Sequence, residues 1–178
     1  MNPTYNIIEE PWIPVKYCGA QNRQIAMVSL KKLLEDAHLI DCIHCEIPME
    51  SYGIYRFLFA YLMDVFEPDF DSLVDLFQQG NFLDQLDIIN QYNTENYSRF
   101  DLFDEKHPFY QRPRSHFDSF NKTIANMFQY IPCGNGSVFF SYSMDNTIRL
   151  SVEMCIRGLL ASVCFSSVGG AGYSPNIN

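Results

Sequence analysis

The residue types that most often bind metals or carry thiol chemistry come together once, at Cys42, His44 and Cys45. One Cys-x-x-Cys pair supplies two or three zinc ligands, whereas a closed structural site takes four, often from a second pair. No second pair exists, and Cys133 beside a predicted turn is the best placed fourth ligand. Cys42 and Cys45 are therefore weak metal candidates. Thiols without a metal are the simpler interpretation, and we expect no cofactor.

Three carboxylates lie close together in sequence at Asp101, Asp104 and Glu105. Paired carboxylates can transfer protons or hold Mg²⁺. An aspartate in a loop also caps turns, because its side chain accepts hydrogen bonds from nearby backbone N–H groups. We favour turn capping for Asp101 and Asp104.

The main local concentration of basic residues follows these carboxylates, with Phe109, Tyr110 and Phe117 among them. Cations interleaved with aromatic rings suit phosphate contact combined with base stacking. The same mixture suits an acidic protein neighbour or a solvated loop. The candidate phosphate contacts are Lys106, Arg112, Arg114 and Lys122.

Gly169, Gly170 and Gly172 follow the last predicted helix. Glycine lets a backbone approach a ligand where a Cβ would collide, although a glycine turn can also simply end a helix. The sequence contains no phosphate-binding GxxxxGK[ST], no GxSxG and no HExxH motif. We therefore expect a binding protein rather than an enzyme.

The composition describes an acidic globular chain of 178 residues, with a net charge of −9 and 47% hydrophobic residues. This charge argues against general binding to duplex backbone, which depends on Lys and Arg, but allows a local contact. The first residues lack a signal-peptide pattern, and no apolar run approaches the roughly 18 residues that span a bilayer. We expect a cytoplasmic protein with reduced cysteines and no membrane association.

The pattern of apolar residues, prolines and glycines predicts the elements that position these residues. Together they form one α+β domain over residues 1–178, mostly helical with short β-hairpins. Prolines in Ile7–Val15 predict an edge strand or extended arm, pairing with a strand at Gln24–Val28. Helical spacing of apolar residues predicts four helices and a shorter one after Ser29, and residues between Arg99 and Phe120 form an aromatic-rich loop. The four predicted helices are Met49–Phe66, with Tyr52, Tyr55, Leu58, Phe59, Leu62 and Phe66 on one face, Asp71–Gln79, Leu83–Asn93 and Arg149–Phe165, and a short strand is predicted at Val138–Ser143.

Four stretches, in this order, resemble the CasA family, the large subunit of type I-E CRISPR surveillance complexes (Cascade). Residues 6–15 read NIIEEPWIPV, similar to the family's NLLxEPWIPV start, and residues 99–111 contain RFDLF followed by PFYQ. Gly134-Asn135-Gly136 before Val138 and the glycines from Gly169 to Gly172 fall where the family has a turn and a glycine-rich loop.

The resemblance implies a non-catalytic subunit that helps recognise the protospacer-adjacent motif in target double-stranded DNA. It implies contact with the crRNA 5′ handle and other subunits, and recruitment of a separate helicase–nuclease. The glycines Gly169, Gly170 and Gly172 would contact DNA through the minor groove, whose degenerate pattern permits tolerant reading. The implied crRNA or subunit contacts are Asn135, Val138, Phe139, Phe140 and Ser141.

The resemblance also implies a longer protein, because family members continue into a wedge hairpin and a C-terminal helical bundle. The sequence is thus expected to be the N-terminal portion of a larger CasA-like fold. Two other functions stay open. One is a protein-interaction module without DNA contact, and the other is a small zinc enzyme around Cys42, His44 and Cys45.

Overall fold

The computed structural model describes residues 3–19, 24–111, 128 and 149–165. Within these ranges a small antiparallel sheet and five α-helices confirm the predicted α+β class. The strands are β1 (Ile13–Tyr17), β2 (Ala26–Val28) and β3 (Ile40–Ile43), and the helices are α1 (Leu30–Glu35), α2 (Pro48–Phe66), α3 (Phe70–Gln79), α4 (Leu86–Glu95) and α5 (Val152–Phe165). The turn predicted beside Cys133 (131–136), the strand predicted at 138–143 and the glycine segment, which comprises residues 169–172, lie outside the described residues. The prediction of one domain over 1–178 stays a prediction.

The sheet has the order β2-β1-β3, which confirms the predicted β1–β2 hairpin and places Ile13 opposite Val28. The prediction of an edge strand was wrong, because β1 is the central strand. Proline is tolerated here because Pro14 lies where the β1–β3 ladder ends. Its carbonyl still accepts the N–H of His44 at 2.8 Å, while β3 itself stops at Ile43. The missing N–H therefore costs at most the last bond of the ladder.

Local signals in the sequence explain where the helices begin and end. Ser29 caps α1, since its Oγ accepts the N–H of Lys32 at 3.2 Å. Asp69 caps α3 in the same way, and Gly80 ends that helix in a left-handed conformation with φ 66°. Among the described residues no helix is long and apolar enough to cross a membrane.

The core forms where α2 packs against α5, α4 and the N-terminal segment, and only part of the apolar face marked by helical spacing contributes to it, namely Leu58, Leu62 and Phe66. Tyr52, Tyr55 and Phe59 are 56%, 50% and 65% exposed, whereas Ile54 and Phe57 are buried. Helical spacing identified the helix, but aromatic residues fill both of its faces, so size alone did not indicate the inner one. The fully buried Trp12 packs edge-on against Phe57, with ring centroids 6.0 Å apart.

A buried hydrogen bond joins α2 to α4 and yields a stability prediction. The Tyr61 hydroxyl donates to Asn93 Oδ1 at 2.7 Å. Tyr61→Phe leaves a buried amide without this donor, and we expect the free energy of unfolding to fall by about 1–3 kcal/mol in urea titrations. Tyr92→Phe is the matched control, because its hydroxyl bonds to the exposed Asp64 and water can replace it. Equal losses in the two variants would contradict the burial of the Tyr61 bond.

Candidate nucleic-acid interface

Two of the stretches that resemble the CasA family, residues 6–15 and 99–111, pair with each other. The pairing lies at the start of the loop that follows Arg99 and carries the basic residues. Asn6 forms a β-bridge with Asp101, and the N–H of Ile7 donates to the Phe100 carbonyl at 3.1 Å. The N–H of Leu102 donates to the Tyr5 carbonyl at 3.0 Å. The N-terminal segment therefore holds the beginning of the loop to the sheet and core.

The loop carboxylates cap turns, which confirms the interpretation favoured from sequence. Asp101 Oδ1 accepts the N–H groups of Tyr5 and Phe103 at 3.3 and 2.8 Å. Asp104 Oδ1 accepts those of His107 and Lys106 at 2.7 and 2.9 Å, and these bonds hold the pKa of its carboxyl below the usual value. One oxygen of each carboxylate thus accepts two backbone N–H groups, which is the arrangement of a turn cap.

A cleft of about 970 Å³ opens between the loop, α2 and α4. Its floor is aromatic, and the rings contact one another edge to face or tilted. Three side chains on its wall carry or can carry positive charge, and one carboxylate, Asp64, opposes them. The aromatic lining includes Phe57, Tyr61, Phe100, Phe109 and Tyr110, and the basic lining consists of Arg99, Lys106 and His107.

Tyr110 is the aromatic residue of this cleft best placed to meet a ligand. Its side chain is 43% exposed, and its ring contacts Phe109 and Phe57 with centroids 4.8 and 6.1 Å apart. Its backbone has a φ of 54°, which is uncommon outside glycine, asparagine and aspartate. A half-exposed ring supported from behind by two others can stack on a flat, electron-rich group such as a nucleobase.

The structure brings only part of the predicted site together. Lys106 lies at the cleft with Phe109 and Tyr110, as the interleaved sequence suggested. Arg99 was missed as a site residue, although it opens the RFDLF stretch that carried the resemblance. The remaining candidates lie outside the described residues, namely Arg112, Arg114 and Lys122, the loop residues Asn135, Val138, Phe139, Phe140 and Ser141, and Gly169, Gly170 and Gly172.

The Cys-x-x-Cys pair lies in and just after strand β3, a strand that the sequence reading missed. Burial raises the pKa of the Cys45 thiol. The backbone N–H of Cys45 donates to Ser51 Oγ at 3.3 Å. A raised thiol pKa disfavours the thiolate that binds metal or attacks substrates. Within the described part of the chain, no group of three His, Cys, Asp or Glu residues could hold a metal ion. Cys133, the suggested fourth ligand, lies outside the described residues.

The helix that precedes the glycine segment is anchored by a buried ion pair. Arg157 on α5 donates through Nε to Glu50 Oε2 of α2 at 3.1 Å, and the two side chains are only 14% and 6% exposed. Its Nη1 also donates to the Trp12 carbonyl at 3.2 Å. One guanidinium therefore connects α5, α2 and the N-terminal segment.

A glycine on α2 lets the two helices meet at backbone distance. A Cβ added to Gly53 would lie 2.8 Å from Ala161 N and 2.8 Å from Leu160 C, both backbone atoms of α5. At the end of α5, the rings of Phe165 and Tyr52 lie 5.3 Å apart. The α5 axis is thus fixed along its length, up to the residue where the helix ends.

Several tyrosines have raised pKa values, which predicts a loss of stability in alkali. Burial raises the pKa of Tyr5, Tyr17 and Tyr92 from 10.0 to about 12, and nearby carboxylates add to this. The folded state therefore favours the neutral phenols. Their contribution is complete below pH 10 and is lost as pH rises towards 12. We expect urea midpoints to fall across this window, and less steeply for Tyr17→Phe. A flat profile would contradict the raised pKa values of these tyrosines.

Comparisons with known proteins agree with the resemblance. The family model "CRISPR-associated protein Cse1" matches residues 6–176. A CasA/Cse1 protein of Thermus thermophilus is 25% identical over 171 residues, covering 93% of this chain and 32% of that protein. The crystal structure of Thermobifida fusca Cse1 is 25% identical, with a TM-score of 0.73 and coverage of 94% of this chain and 31% of that one.

A chain of a structure described as a CRISPR RNA-guided surveillance complex has a TM-score of 0.76. It is 16% identical, with 90% of this chain and 34% of that chain covered, so this likeness shows the fold alone. The chain spans about a third of the length of the relatives it matches. Because the family model matches nearly the whole sequence, the chain belongs to the CRISPR-associated protein Cse1 (CasA) family.

Proposed function

We propose that this chain is part of a non-catalytic subunit of an RNA-guided CRISPR surveillance complex. In that complex it helps recognise the protospacer-adjacent motif in target double-stranded DNA. The observation that carries this proposal is the anchoring of α5. Arg157, Glu50 and Gly53 fix the helix that leads directly into the glycine segment.

A fixed helix end matters because a loop can read DNA only if its backbone is held in place. Gly169 follows Phe165, the last residue of α5, by four residues. Gly169, Gly170 and Gly172 carry no side chains, so their backbone groups can enter the narrow minor groove. The degenerate pattern there would give tolerant reading of the motif.

The cleft supplies a second contact surface in this proposal. Lys106 and Arg99 neutralise phosphates while Tyr110 stacks on a base, and Arg112, Arg114 and Lys122 extend the basic surface along the chain. We assign the crRNA 5′ end or a neighbouring subunit to the segment with Asn135, Val138, Phe139, Phe140 and Ser141. Recruitment of the helicase–nuclease after DNA binding completes the proposed role.

The test replaces the loop glycines in the full gene product, reconstituted with crRNA and the other subunits. We expect Gly170→Val to weaken binding to a duplex carrying the motif by at least about tenfold, while assembly measured by size-exclusion chromatography is unchanged. Phe59→Ser, at an exposed position of α2, is the control and leaves binding unchanged. Normal motif-dependent binding by Gly170→Val would contradict the proposal.

A protein-interaction module without DNA contact is the second candidate. The net charge of −9 and the exposed apolar residues of α3 favour it. In that case Gly170→Val abolishes assembly of the complex. This chain then makes no contact with the DNA, and other subunits recognise the motif.

A further inference from the structure

Helix α3 carries an apolar stripe on its outer side. Phe70, Leu73, Val74 and Phe77 recur at the three- and four-residue spacing that lines one face of a helix. The two phenylalanines are 78% and 87% exposed, and α3 contains no buried residue. A helix this amphipathic ordinarily buries its apolar face, so the stripe is a candidate contact surface.

The stretch of sequence that contains the stripe is acidic. Between Arg56 and Arg99 the sequence contains no Lys, Arg or His, so this stretch accounts for nearly all of the chain's net charge of −9. All eight carboxylates of the stretch are exposed, at Asp64, Glu67, Asp69, Asp71, Asp75, Asp84, Asp87 and Glu95. On α3 itself, Asp71 follows Phe70 directly and Asp75 follows Val74. Aromatic and aliphatic contacts therefore lie inside a negative field.

This charge decides which occupant fits the stripe. DNA, RNA and anionic membranes fit poorly, because their phosphates would meet the carboxylates of a stretch that contains no Lys, Arg or His. A second copy of this chain that presents the same face would place one acidic surface against another, which is unfavourable at an interface. A basic partner gains both apolar contact and charge pairing. Its apolar side chains cover the stripe, and its Lys and Arg residues pair with the carboxylates.

We propose that the stripe formed by Phe70, Leu73, Val74 and Phe77 docks a basic amphipathic segment of another protein. That segment presents apolar residues at helical spacing, with Lys or Arg on either side. The surface goes beyond the proposed DNA-reading function, and it lies on a helix that contributes no residue to the lining of the cleft. The acidic stretch would also keep nucleic acid off this side of the protein.

The probe is a labelled synthetic helix of leucines and lysines, with leucines at three- and four-residue spacing. Binding to the full gene product is measured by fluorescence anisotropy at low and at high salt. We expect saturable binding that weakens at high salt. Phe77→Ser and Phe70→Ser should each weaken it at least about tenfold. Phe59→Ser is the matched control, since Phe59 is 65% exposed on α2, and it should leave the affinity unchanged.

A second pair of measurements separates charge from apolar contact and from self-association. Asp71→Lys together with Asp75→Lys should weaken binding, and the same peptide with glutamates in place of lysines should not bind. Three results would overturn the proposal, namely equal binding of the glutamate peptide, peptide binding unaffected by Phe77→Ser, and sedimentation showing a dimer that Phe77→Ser dissolves. Motif-dependent DNA binding is expected to be normal in Phe77→Ser. A loss of DNA binding in this variant would bear on the proposed DNA-reading function and not on the docking of a basic segment.

Discussion

Arg157→Met is expected to lower the free energy of unfolding by about 3–5 kcal/mol. The substitution keeps much of the apolar stem but removes the cation that faces Glu50 in a site with almost no solvent exposure. It also removes the donor to the Trp12 carbonyl. The change can be measured by urea unfolding, with the fluorescence of Trp12, the single tryptophan, as the probe. In the variant, the emission of Trp12 should shift at a lower urea concentration than in the wild type.

Lys31→Met provides the matched control, because Lys31 pairs with Glu9 at 3.9 Å and the two side chains are 42% and 52% exposed. Exposed pairs contribute only about 0–1 kcal/mol, so this variant should be close to wild type. Adding Glu50→Gln to Arg157→Met should recover part of the loss, because the buried negative charge is then removed. A loss below about 1 kcal/mol in Arg157→Met would show that the pair is not buried in solution.

Gly53→Ala is expected to destabilise the protein, although alanine is the better helix former. In an exposed helix interior the change from glycine to alanine stabilises by roughly 0.5–1 kcal/mol. Here the new Cβ would lie 2.8 Å from backbone atoms of α5, which cannot rotate away as a side chain does. Overpacking of this kind costs typically about 1–3 kcal/mol, so we expect a net loss. Gly53→Val should lose more, since it adds two further carbons at the same contact.

Gly80→Ala separates steric collision from backbone strain. No atom lies within 4 Å of a Cβ at Gly80, but its φ of 66° makes alanine unfavourable there by roughly 1–2 kcal/mol. This variant should weaken α3 without altering the fluorescence of Trp12 in the folded state. Gly53→Ala should alter it, because α5 must move away from α2. An increase in stability on Gly53→Ala would contradict the close contact of the two helices.

Local signals made much of the fold predictable from sequence. Ser29, Pro68 and Gly80 mark helix boundaries through capping and backbone restriction, and the helices around them end close to the predicted residues. The hairpin followed from two short β-branched runs on either side of a turn. These features depend on neighbours in sequence, which is why a single sequence contains them.

Long-range contacts were the part that the sequence did not disclose. The position of β1 at the centre of the sheet depends on β3, a strand of four residues whose pattern was read as a thiol motif. The buried face of α2 depends on α5, which is about a hundred residues away in sequence. Gly53 and Glu50 identify that face in the structure. In the sequence a carboxylate in a helix suggests solvent exposure, because Glu is almost never fully buried unless it is paired.

The candidate site was predictable to a similar extent. Interleaved cations and aromatic residues indicated Lys106 and Tyr110, and both line the cleft. Arg99 joins them only because the RFDLF stretch pairs with the N-terminal segment, which brings residues 6 and 101 together. The glycine segment was nominated by resemblance and by its place after α5, and its role in DNA contact stays a prediction.

The most direct test of the DNA-reading role replaces Tyr173, beside Gly172, with the photoreactive residue p-benzoylphenylalanine. The same replacement at Phe77 on the acidic side of the protein is the control. Both proteins are irradiated in the reconstituted complex with labelled duplexes that carry or lack the adjacent motif. If this segment reads the motif, position 173 forms a DNA crosslink that depends on the motif, and position 77 forms none. Crosslinks from position 173 to protein subunits alone, or equally to both duplexes, would contradict it.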